Sequence, residues 1–145
     1  MVQLSVSEEQ KNFVATNTQS ILEAYVTVTS GHVALPFGIY EEDTLVGFVM
    51  LGYGNTEDEG EPKIASGNYC IWRYMIDQRY QGKGYGSKAL DAVIEYIRTM
   101  PCGKAEYIWL SFEPENKRAE ALYQSKGFAR NGEMCEGEIV SCFKL

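Results

Sequence analysis

Three glycines stand at alternate positions, Gly82, Gly84 and Gly86, inside the stretch Arg79-Tyr-Gln-Gly-Lys-Gly-Tyr-Gly-Ser-Lys-Ala-Leu90. Such a run suits the binding of an anion by main-chain N–H groups. Glycine reaches the left-handed region of backbone space and lets a ligand come close to the chain. The N–H groups of a helix's first turn lack partners inside the helix, and the dipole end there is positive, so phosphate is the usual guest. A Walker loop does not fit, because Ser87 stands five residues after Gly82, where a second glycine is required. The dinucleotide fingerprint G-x-G-x-x-G also meets Ser87 where its third glycine belongs. The pattern Q-x-x-G-x-G does fit, as Gln81, Gly84 and Gly86. Zinc chemistry does not. Cys70, Cys102, Cys135 and Cys142 form no C-x-x-C, and the single histidine, His32, is remote from them in sequence, so no metal is expected. Reduced, mostly buried thiols are expected instead.

An anion cradle needs a strand before it and a helix after it. Residues 69–77, rich in aromatic and β-branched side chains, read as that strand. Ala89, Leu90, Val93, Ile94 and Ile97 give the helix its apolar stripe, and it stops before Pro101. Upstream, Ser7 and Gln10 form a capping box that predicts a short helix to about Val14. Asn17 and Thr18 can cap a second helix that reaches about Val28. Residues 37–40 and 45–51 read as a hairpin turning at 41–44. Residues 55–62 form a polar loop that carries acids, either simply solvated or attracting an acceptor. Downstream come a strand at 107–112, a helix capped by Asn116 and closed by Gly127, and a terminal hairpin turning at Glu136 and Gly137. The expected class is mixed α/β (α+β) in one domain spanning 1–145, with a hairpin at each end.

The Gln81, Gly84, Gly86 pattern resembles the pyrophosphate signature of the GNAT superfamily of N-acetyltransferases, which use acetyl-CoA. About thirty residues on, Ala119, Tyr123, Gly127 and Phe128 are similar to that family's closing motif, in the expected helix. Within the superfamily, residues 72–86 and 137–140 look most like bacterial spermine/spermidine (diamine) acetyltransferases. The resemblance implies a mostly antiparallel sheet that parts between its fourth and fifth strands, with the family's first strand missing here. The strand near Phe37 is then an edge, and a homodimer that covers it is one expectation. It also implies that backbone groups of Met75 and Ile76 meet the pantetheine arm of the cofactor. Gln81, Gly82, Lys83, Gly84, Tyr85, Gly86 and Ser87 would hold its pyrophosphate, with Lys83 and Lys88 adding charge. Asn116 would touch the cofactor as well as cap its helix. Tyr123 would donate a proton to the departing thiolate. No carboxylate lies between Tyr69 and Ile76, where Trp72 and Arg73 stand instead, so the proton acceptor for the amine is sought among Glu8, Glu9, Glu23 or water.

The formal charge of −7 argues against a nucleic-acid partner, which would want a basic face, and is compatible with a cationic small molecule. No apolar run approaches a membrane span, and the N-terminus does not read as a signal peptide, so a cytoplasmic protein is expected. The leading reading is acetyl transfer from acetyl-CoA to a small-molecule primary amine, most simply a polyamine. Alternatives are an aminoglycoside or a protein N-terminus as acceptor, or a non-catalytic acyl-CoA sensor. A cation at Arg73 would repel a polycation unless its side chain turns away from the acceptor.

Overall fold

The computed structural model describes residues 1–54 and 60–145. Most of the acid-rich loop at 55–62 therefore lies outside the described residues. The chain runs α1 (Asn17–Thr29), β1 (Val33–Glu41), β2 (Thr44–Gly54), β3 (Asn68–Ile76), α2 (Tyr85–Arg98), β4 (Tyr107–Phe112), α3 (Lys117–Ser125), β5 (Ala129–Cys135) and β6 (Glu138–Lys144). The strands form one sheet in the order β1-β2-β3-β4-β6-β5. Every neighbouring pair is antiparallel except β3 with β4. This is the expected mixed class, with a hairpin at each end. Among the described residues, no helix is long and apolar enough to cross a membrane.

The long apolar run of β2 has a structural reason. Both faces of this strand are covered, so its side chains alternate between two cores. Val49 and Leu51 join the core under α2 and α3, with Leu90, Val93, Ile94, Ile97 and Tyr123. Phe48 and Met50 join the core under α1, with Leu4, Ala24 and Met75. At Gly47 a Cβ would stand 2.5 Å from the Met75 carbonyl oxygen, so only glycine lets β2 and β3 pair there. β1 is one of the two edge strands and extends back across Pro36, which an edge position tolerates.

Three expectations needed correction. The cap of α1 is Thr16, whose Oγ1 accepts the Gln19 N–H at 3.2 Å, and not Asn17 or Thr18, which lie inside the helix. The capping box forms, with Gln10 Oε1 accepting the Ser7 N–H at 3.3 Å, but only a 3-10 turn at Glu8–Gln10 follows it. A helix this short is marginal in water, and residues 10–15 instead line a cleft. The four cysteines are free but only half-buried. α1 also buries small and polar residues, Asn17, Ser20 and Ala24, and exposes Leu22, Tyr25 and Val26. Its inner face needs small side chains because Asn17 reaches the Met1 carbonyl at 3.0 Å and packs beside Met75.

β3 and β4 pair at only two positions, Tyr69 with Ile108 and Cys70 with Trp109. Side chains staple this end. Asn68 Oδ1 accepts the N–H groups of Glu106 and Tyr107 at 3.0 and 2.9 Å. The fully buried Tyr69 hydroxyl donates to the Gly103 carbonyl at 2.9 Å and accepts the N–H groups of Cys102 and Gly103 at 2.9 and 3.1 Å. Just past Cys70, Trp72 is the extra residue of a bulge against β2, since Met50 pairs with Arg73 and Leu51 with Ile71. A bulge bends its strand and sharpens the local twist. Tyr69→Phe removes the acceptor of two N–H groups and should lower stability by about 1–3 kcal/mol. Urea unfolding measures it, and an unchanged midpoint would mean that the staple adds nothing.

Candidate active site

Beyond the two-pair ladder, Ile71 to Ile76 on one side and Ser111 and Phe112 on the other line a cleft of about 1290 Å³. The glycine loop closes one end of it. Gly82 and Gly84 hold φ of +75° and +81°, and a Cβ at either would meet nothing within 4 Å. Glycine is needed there for the backbone angle, and the space beside it is open. Gly84 is the N-cap of α2, so no side chain caps the first turn, and no acid lies in that turn. Tyr85, Gly86 and Ser87 therefore begin a helix with uncapped donors that line the cleft. The Tyr74 hydroxyl donates to the Gly86 carbonyl and fixes that turn to β3.

Gln81 organises the approach to the loop. Its Nε2 donates to the Ile76 carbonyl and to Gln10 Oε1, both at 2.9 Å, and its Oε1 accepts from Arg118 at 3.2 Å. Next to it, the buried Asp77 carboxylate accepts the Ser5 N–H at 3.0 Å and the Arg79 guanidinium at 2.8 Å, which holds the N-terminal segment against the end of β3. Lys83 is not among the residues that line the cleft. Its ammonium lies 5.6 Å from the Tyr80 ring centroid. Lys88 lines a separate groove between β1 and α2. The cation beside the loop is Arg118, which the sequence reading did not single out. Met75 and Ile76 are buried and line the cleft, but the Met75 carbonyl faces Gly47 of β2 and the Ile76 carbonyl is held by Gln81.

α3 supplies the middle of the cleft. Asn116 Oδ1 caps it by accepting the Ala119 N–H at 3.2 Å, and Asn116 also lines the cleft. Tyr123 follows seven residues later, about two turns on and on the same side. Its ring is buried between Phe112 and Phe128, with centroids 5.9 and 6.0 Å away. Burial pushes the Tyr123 phenol well above its ordinary value, and the negative charge of Glu138 pushes the same way. It is a neutral O–H donor throughout the physiological range.

The far end carries charge of both signs. Arg73 lines the cleft with its guanidinium 2.9 Å from Glu23 and 5.5 Å from the Trp72 ring centroid. Of the acids expected from sequence, Glu8 pairs with Lys11 at the surface, Glu9 lies outside the cleft, and Glu23 is the partner of Arg73. Sequence reasoning missed Glu138, which opens β6, lines the cleft and accepts from Ser111 Oγ at 2.5 Å. Its usable signal was the alternation of the last strand, which puts residues 138, 140 and 142 on one face. Burial raises the Cys70 thiol well above its ordinary value, so it is a poor nucleophile at neutral pH. Among the described residues no group of three or more His, Cys, Asp or Glu could hold a metal ion.

Comparison with known proteins sets this geometry among its relatives. The profile of the Acetyltransferase (GNAT) family matches residues 4–128. The chain is 35% identical to the spermine/spermidine N(1)-acetyltransferase of Bacillus subtilis, over 100% of this chain and 90% of that enzyme. It is 30% identical to the [ribosomal protein uS5]-alanine N-acetyltransferase of Escherichia coli, over 68% of this chain and 47% of that protein. Among solved structures, the PaiA N-acetyltransferase of Thermoplasma acidophilum in complex with coenzyme A superposes with a TM-score of 0.63 at 16% identity, covering 97% of this chain and 80% of that one. An aminoglycoside acetyltransferase in complex with coenzyme A gives 0.70 at 20% identity, covering 86% and 74%.

Proposed function

The chain belongs to the GNAT family of acetyltransferases, and from that premise we propose that it transfers the acetyl group of acetyl-CoA to a primary amine of a polyamine such as spermidine or spermine. The observation that carries the reading is one continuous cleft with an uncapped helix start at one end and buried, neutral Tyr123 facing carboxylate-bearing walls farther along. The loop fits the cofactor's pyrophosphate by its donor set. The first turn of α2 offers uncapped N–H groups, its positive dipole end faces open space, and Arg118 stands beside it.

Acetyl-CoA supplies an activated thioester, and the chain's own residues supply the rest. Gln81, Gly82, Gly84, Tyr85, Gly86 and Ser87 seat the phosphates. Lys83, turned toward Tyr80, contributes long-range charge only. Because the Met75 carbonyl faces β2, alternation turns the main chain of Tyr74 and the Ile76 N–H away from β2, where the arm of the cofactor would pair with them, while the Ile76 carbonyl is held by Gln81. Asn116 caps α3 and contacts the cofactor from that helix end. Tyr123 gives its proton to the leaving sulfur. Holding amine and thioester together in the cleft is worth several kcal/mol of barrier by itself.

Two features support a polyamine acceptor. The similarity to spermine/spermidine N(1)-acetyltransferase runs through the whole chain, and Glu136 and Glu138 bring negative charge to the wall opposite the loop. Arg73 does not contradict this reading, because Glu23 neutralises it. Spermidine and spermine should therefore show a higher kcat/KM than an aminoglycoside or a peptide amine, and the preference should weaken with added salt. Free-thiol release with each amine measures this, and a clear preference for another class would overturn it.

Gly84→Val places a β-branched side chain at φ +81° and in the open space of the cradle. The folded variant should bind coenzyme A at least about tenfold more weakly by calorimetry. Unchanged affinity would remove the loop from the binding site.

Tyr123→Phe keeps the packing against Phe112 and Phe128 and removes one oxygen. The expected result is a fall in kcat of roughly 10²–10⁴-fold, with the KM for acetyl-CoA nearly constant, as befits an interaction made only in the transition state. Steady-state kinetics decide it, and a loss under about threefold would reduce Tyr123 to a packing residue.

A further inference from the structure

Amide formation from an ammonium requires that two protons leave the nitrogen. At pH 7 an amine of pKa about 10 is only about 0.1% neutral, so a group that takes the first proton inside the cleft has a large effect. We infer that Glu138 is that group: its carboxylate, oriented by Ser111, accepts the first proton of the acceptor ammonium. The inference rests on the functional reading above and names a residue that the reading leaves open.

The placement follows from the pairing of β4 with β6. Phe112 pairs with Ile139 and Ser111 with Val140. Phe112 stacks 5.9 Å from the Tyr123 ring, and its neighbour Ser111 donates to Glu138 Oε2 at 2.5 Å. Ser111 and Phe112 are neighbours on β4 and so take opposite faces of the sheet; Glu138 from β6 and Tyr123 from α3 thus reach the same cleft, which both line, from its two sides. Their proximity is also felt electrostatically, since Glu138 disfavours ionisation of Tyr123, Cys70 and Cys135. The other acids that line the cleft are placed differently. Glu23 is held by Arg73, Glu136 sits exposed in the hairpin turn, Glu113 lies past the end of β4, and Glu61 belongs to the loop before β3. Ser111 leaves Glu138 a second oxygen for the amine.

The proton balance closes with these two residues. Glu138 takes the first proton from the ammonium and later gives it to water. The neutral nitrogen attacks the thioester carbonyl, so the C–N bond forms and the C–S bond breaks. Tyr123 protonates the departing sulfur, and the second nitrogen proton restores the phenol. The products are the amide, the free thiol of coenzyme A and one proton released to solvent.

Glu138→Gln keeps an oxygen to accept the Ser111 bond and removes the base, so the local packing persists. With spermidine at pH 7 its kcat should fall roughly 10²-fold or more, with an unchanged KM for acetyl-CoA. The deficit should then shrink with each pH unit toward the amine pKa, because solvent then supplies the neutral amine that Glu138 no longer makes. The other titratable or charged groups around this stretch are Tyr123 from α3, Cys70, Arg73 and Tyr74 from β3, Glu113 after β4, Cys135 from β5, Glu136 from the turn and Glu61 from the loop before β3. Burial moves both tyrosines and both thiols further above neutral. Glu138→Asp, which keeps the base but shortens its reach, should recover part of the rate with the wild-type pH dependence. A loss below about threefold, or a loss that stays constant from pH 6 to 9, would overturn the role of Glu138. Wild-type turnover in the same assay tests the functional reading separately. An active wild type with an equally active Glu138→Gln removes Glu138 alone, and a wild type inert to every amine removes both.

Discussion

The structure depends on how little β3 and β4 hold each other. Two residue pairs join them, and Asn68 and Tyr69 fix those pairs from the side. The bulge at Trp72 comes just after the last pair, where the strand bends. Beyond it the two facing edges have main-chain groups with no ladder partner. Main-chain groups demand hydrogen bonds, and the proposed function gives these to an extended, amide-bearing guest. The glycine loop, Asn116 and Tyr123 acquire meaning from their positions along it.

The charges follow the same axis. The start of α2 is a positive dipole end with neither cap nor acid, while the wall near the terminal hairpin carries Glu136 and Glu138. Arg73 could have spoiled this polarity, but Glu23 cancels it within the cleft. A net charge of −7 adds a long-range pull on cations that does not depend on the fold. One cleft thus joins uncapped main-chain donors to a carboxylate-bearing wall, the pairing that the proposed transfer from a phosphate-bearing donor to an ammonium acceptor would use.

Local features of this arrangement were legible in the sequence. The strand, glycine turn and helix at residues 69–98 announce themselves by composition and period, and the bounds of β4 and the Asn116 cap match the sequence reading. Illegible were the contacts that join distant segments. Gln81 meets Gln10 across 71 residues, Arg73 meets Glu23 across 50, and Ser111 meets Glu138 across 27. The first looked like a motif letter, the second like an obstacle, and the third was invisible until β6 was seen beside β4. The inward face of α1 was hidden too, since a 3.6-residue period suggests burying the apolar side and the structure buries Asn17, Ser20 and Ala24.

The central claim is that the opening between β3 and β4 is where the cofactor lies. Amide hydrogen–deuterium exchange with and without coenzyme A tests it most directly, because it reports where main-chain donors gain protection. The account predicts slowed exchange at residues 71–76 of β3 and at 82–87 of the glycine loop and first turn of α2. Protection confined to the groove between β1 and α2, or no change anywhere in the cleft, would contradict it.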